Sequence, residues 1–326
     1  MNKILLIKSS GAAGLGDRLQ ALLSGLHYAH ISGRSVYVCW DDGLYGAVGE
    51  NIFFHFFTIQ GLSTDVNSLV RYPPEEVFPV LWQDKLNQTF NQVYADSCKE
   101  LWNRAWALQN LSFDLSRFDY REKILVMWDS DQFVNSWSSA DPAIRYGNSP
   151  EEALHITAKN HLQIVPELQS ALEKFKDTHF QRRMIGVHVR RTYEQGGSTR
   201  HVPNYRYFKI IDRLLKKDTG IFLATDNKAV EDRFRKRYPD LVTTEKWLPD
   251  KPGEAVHFAR NEAMDKHAIL REAITDLYLL ASCDFLVYPG ASSFSRLASI
   301  LGNFSDHHLY PLHTRIRKIF GITLHY

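Results

Sequence analysis

The run Ile185-Gly186-Val187-His188-Val189 passes without a break into Arg190-Arg191-Thr192, and that abrupt change constrains this chain more than any other feature. The apolar, largely β-branched part reads as a buried strand. Alternation puts His188 and Arg190 on one face and Val187 and Val189 on the other. Two guanidinium groups then stand where the chain leaves the sheet, ahead of the glycine-bearing loop Tyr193-Glu194-Gln195-Gly196-Gly197. Strand and helix patterns alternate beyond it. A helix starts at Asn204 with Tyr205, Phe208, Ile211, Leu214 and Leu215 on one face. A strand at 221–224 ends at Thr225-Asp226-Asn227, a charged helix reaches Tyr238, and a short strand covers 241–243. A helix over 265–282, a strand at 285–287 and a helix capped by Ser292 or Ser293 and running to Leu301 complete the series. Strands alternating with helices give a parallel, doubly wound sheet. Such sheets bind ligands beyond the carboxyl ends of their strands. An arginine there suits a phosphate, because guanidinium meets two oxygens at once and stays charged. The plainer alternative is an arginine pair bridging to surface acids.

The first half opens in the same style. A strand at 4–7 leads through Ser9-Ser10-Gly11-Ala12-Ala13-Gly14-Leu15-Gly16 into a helix from Asp17, with Leu19, Leu22, Leu23, Leu26 and Ala29 at helical spacing and Gly33 at its end. A strand at 36–40 and the turn Asp41-Asp42-Gly43 follow. A glycine loop at a helix N-terminus suits an anionic or polar ligand, since unpaired backbone N–H groups point at it. As a dinucleotide fingerprint, with Asp41 and Asp42 in the ribose position, it lacks the third glycine: Leu19 stands there. No Gly-Lys-Ser/Thr closes a phosphate loop either. A purely structural tight turn is the other reading of these glycines. Residues 51–118 carry aromatic clusters and prolines but no usable period. A strand at 123–128 leads into Trp128-Asp129-Ser130-Asp131. Helical patterns over 150–176 are interrupted at Pro166, and the polar, basic stretch 178–182 marks the expected boundary between domains 1–180 and 181–326.

A chain of 326 residues is long enough for two domains with sizeable cores. Its net charge of +2 is too small to argue for nucleic acid or a membrane surface. Three cysteines make no disulfide framework and fit a reducing compartment. The N-terminal apolar run is too short for a signal peptide. No stretch approaches the roughly 18–20 apolar residues of a membrane-spanning helix. The expectation is a cytoplasmic protein, with membrane association left open but not indicated.

Four blocks, taken together and in order, resemble a known family: Gly14-Leu15-Gly16-Asp17-Arg18, then Ile185 to Thr192, then Phe222-Leu223-Ala224-Thr225-Asp226-Asn227, then Thr275 to Val287 with Ser292-Ser293-Phe294-Ser295-Arg296-Leu297-Ala298. They resemble the inverting GDP-fucosyltransferases, nearest to the α-1,6 group that includes the nodulation fucosyltransferases. The resemblance implies an α/β chain of two Rossmann-like domains facing across a cleft (GT-B-like). The C-terminal domain would bind the GDP-sugar and the N-terminal domain would serve the acceptor. No metal or other cofactor is expected, and the acceptor would be an oligosaccharide or glycolipid hydroxyl.

The resemblance also implies residue roles. Arg190 would hold the donor pyrophosphate and neutralise the leaving GDP. His188 and Arg191 would line the nucleotide pocket, although a lone histidine is more often a satisfied core residue. Asp276 would accept from guanine N1–H and the 2-amino group. Its helix is apolar nearly all round, so an acid there needs a partner in any case. Ser292 and Ser293 would present hydroxyls and a helix N-terminus to phosphate, and Gly14, Leu15 and Gly16 would approach the phosphates by backbone. Where several relatives carry Asp-Lys after Arg-Arg-Thr, this chain has Tyr193-Glu194. The sugar and the acceptor base are therefore open, with Glu194 first and Asp226 second as base. Three other readings stand beside this one. They are a metal-dependent glycosyltransferase using Asp129 and Asp131, a dinucleotide oxidoreductase using Gly14, Gly16 and Asp41, and a glycan- or nucleotide-binding module without catalysis. His307, His308 and His313 lack a companion cluster and do not read as a metal site.

Overall fold

The computed structural model describes residues 3–59, 62, 65–129, 133–191, 202–248, 265–313, 316–319 and 322–325. The chain divides into two compact units, Met1–Val165 and Pro166–Tyr326.

The first unit begins with β1 (Ile4–Lys8), whose five side chains are all buried. That is the pattern of a central parallel strand covered on both faces. Helix α1 (Leu15–Ser32) starts two residues earlier than its apolar spacing suggests. It ends where Gly33 turns left-handed at φ 64°, a conformation glycine adopts without steric cost. Its apolar stripe is buried, but so are Arg18, Gln20, Ser24 and His27. The helix is covered nearly all round, and period alone does not reveal that. Next come β2 (Ser35–Cys39), β3 (Phe57–Thr58) and β4 (Val77–Phe78), with 3₁₀ turns at Ile52–His55, Val66–Arg71, Pro74–Glu76 and Val80–Trp82. Helix α2 (Phe90–Ser97) is fixed by a capping box between Thr89 and Gln92, and α3 (Arg104–Leu111) by Asn103. Then follow β5 (Ile124–Trp128), α4 (Phe133–Ser139), α5 (Pro150–His161) and β6 (Gln163–Ile164). The main sheet runs β2-β1-β5-β4, all parallel, with Lys8 level with Cys39 and Trp128. One face carries Ile4, Leu6, Val126 and Trp128 against Trp82, Phe90 and Leu111. On the other face α1 approaches so closely that a Cβ on Gly25 would meet Ile7 at 2.5 Å.

The second unit starts with α6 (Pro166–His179), so the stretch 178–182 lies at the far end of its first helix. Strand β7 (Arg183–Val189) leads to α7 (Asn204–Leu214), β8 (Thr219–Thr225), α8 (Lys228–Arg237), α9 (Lys266–Ala281), β9 (Phe285–Pro289), α10 (Ser293–Leu301), β10 (Leu309–Leu312), β11 (Ile316–Ile319) and β12 (Ile322–His325). The sheet order is β10-β9-β7-β8, again parallel. Ile185, Val187, Val189, Leu223 and Val287 pack with Tyr207 and Ile211 of α7 and Phe234 of α8. Each such side chain contributes roughly 1.5–3 kcal/mol on leaving water. Gly186 faces the other way, where a Cβ would sit 3.1 Å from Cys283 of the α9–β9 turn. Two expectations are corrected here. The buried face of α7 is Tyr207 and Ile211, whereas Tyr205 is 64% exposed. The strand expected at 241–243 is a single bridge, Val242 to Phe222 of β8. No helix among the described residues is long and apolar enough to cross a membrane.

Candidate active site

In both units the titratable residues gather where parallel strands end, as the sheet geometry favours. In the second unit β7 delivers His188, Arg190 and Arg191 in succession. Asp226 follows β8 directly. Its Oδ1 accepts the Arg191 backbone N–H at 2.7 Å, and its Oδ2 lies 3.8 Å from Arg190 Nε. Arg190 keeps 36% of its side chain exposed. Arg191 is buried, and its guanidinium is spent on the protein: it donates to Arg190 O at 3.1 Å, to Val202 O at 3.0 Å and to Asn204 Oδ1. Adjacent arginines thus have different work. One faces outward from the strand end, while the other ties the start of α7 to it.

His188 is 4% exposed, and its Nδ1 has no partner among the described residues. Burial first, then the charges of Arg190 and Lys246, push its protonation down to about pH 3, so the ring is neutral. Phe294, in the first turn of α10, packs on it at 5.0 Å between ring centroids. That contact sets the N-terminus of α10 beside the end of β7. Ser292 occupies the N-cap position, but its side chain makes no capping hydrogen bond. Asp276 lies on α9 and is buried. Thr244 Oγ1 donates to its Oδ1 at 2.6 Å, and Lys246 pairs with its Oδ2. The partner such an acid requires is therefore Lys246, which no sequence period could have found from a loop some thirty residues away. Glu194 lies outside the described residues.

The first unit holds a second buried charge cluster. Gly14 is the N-cap of α1, and no side chain caps it; Leu15 and Gly16 are buried in the first turn. Arg18 donates to Ala13 O at 2.9 Å, pairs with Asp42 at 2.9 Å and lies 3.8 Å from Asp129. Lys8 pairs with Asp41 at 3.1 Å. Burial opposes the charge on Asp42, but Arg18 and the hydroxyl of Ser9 outweigh it and hold the carboxyl below its usual range. At Asp129 burial wins over Arg18 and the Ser10 N–H, and the carboxyl is pushed up to about 6. The two acids of the supposed ribose position are thus engaged inside the unit, and Asp129 faces a guanidinium. Asp131 lies outside the described residues. Arg18 joins this cluster without being singled out by motif spacing. Its signal was a charged residue in an otherwise buried helix turn.

Two parallel α/β sheets, each with polar residues at strand ends, match the fold of solved GT-B fucosyltransferases. The NodZ α-1,6-fucosyltransferase structure soaked with GDP-fucose superposes with a TM-score of 0.62 over 93% of each chain at 22% identity. Among curated proteins, nodulation protein Z of Azorhizobium caulinodans is 27% identical over 318 residues, 88% of this chain and 86% of the relative. That of Bradyrhizobium diazoefficiens is 23% identical over 90% of this chain and 78% of its own length. The profile of the nodulation protein Z (NodZ) family matches residues 148–320. This chain belongs to the NodZ family.

Proposed function

We propose that the protein is an inverting glycosyltransferase that moves L-fucose from GDP-fucose to a hydroxyl of an oligosaccharide or glycolipid. In this reading the second unit binds the donor and the first serves the acceptor. The observation that carries it is Arg190: a partly exposed guanidinium at the end of a central strand, steadied by Asp226 and standing on the side where Phe294 brings up the N-terminus of α10. A diphosphate gains charge as it leaves the sugar, and a fixed cation with an oriented helix end stabilises that charge most in the transition state. Ser292 and Ser293 sit where that helix end would meet phosphate. Asp276, on α9, would accept from guanine in this reading. Neutral His188 lines the same side of β7, and Arg191 acts by fastening the Arg190 backbone.

Transfer with inversion needs a group to take the proton of the attacking hydroxyl. Asp226 already accepts the Arg191 N–H and faces Arg190, which supports giving that proton to Glu194 and leaving Asp226 to orient the arginine. No step in this mechanism calls on a divalent ion. The guanidinium beside Asp129 supports a structural, charge-balancing role for that carboxylate. The test is Arg190→Ala, followed by transfer of labelled fucose and by the unfolding midpoint. Because Arg190 is outside the core, stability should stay within about 0.5 kcal/mol. Transfer should fall by about a hundredfold or more. Unchanged turnover would remove the phosphate role from this residue.

A further inference from the structure

The donor reading leans on Asp276, and the structure gives that acid a companion with chemistry of its own. Lys246 and Asp276 form an ion pair with only 7% and 9% of their side chains exposed. The lysine is not a loose surface group. Two residues before it, Thr244 bonds the same carboxylate, and the hydroxyl of Thr243 donates to Leu223 O at 2.9 Å. One residue after it, the Trp247 N–H donates to Glu272 of α9 at 3.2 Å. A buried lysine–aspartate pair adds little stability over apolar residues of the same volume, so its presence asks for another reason. A second observation points to a ligand. His188, within electrostatic reach of Lys246, is more than nine-tenths buried, and its Nδ1 has no partner among the described residues.

The hydrogen-bond inventory limits what such a group of side chains can hold. An ammonium only donates, with three protons, and Asp276 takes one of them. An ionised carboxylate only accepts, at about four lone-pair sites. Thr244 and Lys246 fill two of those, leaving room for two more donors. A fixed donor beside a fixed acceptor complements an edge on which one acceptor adjoins two donors. Guanine presents that order: O6, then N1–H, then the 2-amino group. Adenine presents the 6-amino donor where the lysine stands and the N1 acceptor where the carboxylate stands, and is repelled at both. Uracil matches O4 and N3–H but turns O2 against the carboxylate.

We infer that Lys246 is a base-reading residue that donates to O6 of the guanine while Asp276 takes its N1–H and 2-amino protons, so that the buried pair selects a guanine nucleotide over the other nucleoside diphosphates. The inference rests on the donor reading given above. It is tested by calorimetric titration of the wild-type protein and of Lys246→Met with GDP and with 6-thio-GDP, which keeps both donors and replaces O6 by a poorly accepting sulfur. Losing one hydrogen bond to a charged donor should weaken 6-thio-GDP by about tenfold to a hundredfold against the wild type. Lys246→Met should lose a similar factor for GDP and bind the two nucleotides alike. Equal wild-type affinity for the two, or a preference for GDP that survives in Lys246→Met, would overturn the role of Lys246. If the variant does not fold, the wild-type ratio decides alone. Failure of the wild type to bind GDP at all would instead overturn the donor reading itself.

Discussion

Single residues in this protein are defined by what they are paired with more than by their type. Arg190 and Arg191 are neighbours in sequence, yet one is half-exposed beside Asp226 while the other is consumed by Val202 and Asn204. Asp42 and Asp129 both face Arg18, yet their carboxyls shift in opposite directions because only Asp42 is bonded by the guanidinium and a hydroxyl together. The shift at Asp129 fixes a sign. Its folded pKa of about 6 lies above the ordinary value near 3.9, so the folded state keeps a proton that the unfolded chain has released. Stability from this group is full below about pH 4 and is lost as pH rises through about 6. Asp129→Asn removes the buried charge. The variant should match the wild type near pH 4 and exceed it at pH 8 by up to about 3 kcal/mol, read from urea midpoints. A variant less stable than the wild type at pH 8 would mean that the contacts of the carboxylate outweigh its burial.

At the scale of elements, the proposed donor side depends on how α10 is seated. Its start is fixed by Phe294 on His188, and its end by Gly302, where a Cβ would stand 2.7 Å from Ala281 O and 2.2 Å from the ring of Phe304. Gly302→Ala should therefore cost about 1–3 kcal/mol in overpacking and lower the melting temperature. A neutral result would show that the turn relaxes freely. Elements with a clear period were legible in advance: the buried strands, α1, α9 and α10 each carried a run or a stripe long enough to declare itself. Residues 51–118 were not, because four 3₁₀ turns and two-residue strands such as Val77–Phe78 have no repeat to detect. Several spacings fit the aromatic-rich α7, Tyr205 among them, and packing against Phe234 and Val187 selects Tyr207. At the strand ends, His188, Arg190, Arg191 and Asp226 stand out in the sequence as candidates. Lys246, Thr244 and Arg18 became visible only through contacts with partners 24 to 32 positions away.

For the molecule as a whole, the NodZ profile covers residues 148–320, nearly all of the second unit, whereas the irregular aromatic stretch lies in the first. In the proposed reading, the second unit would recognise the donor and the first the acceptor. Binding of a guanine nucleotide is therefore the central claim. The most direct measurement is thermal stabilisation in excess EDTA with GDP, GDP-fucose, GDP-mannose, UDP and NAD. At about a hundred times the dissociation constant a ligand adds roughly 2.7 kcal/mol to the folded state. GDP and GDP-fucose should raise the unfolding temperature without metal, and UDP and NAD should leave it unmoved. A shift with UDP or NAD and none with GDP, or a GDP shift that appears only when manganese is restored, would contradict it.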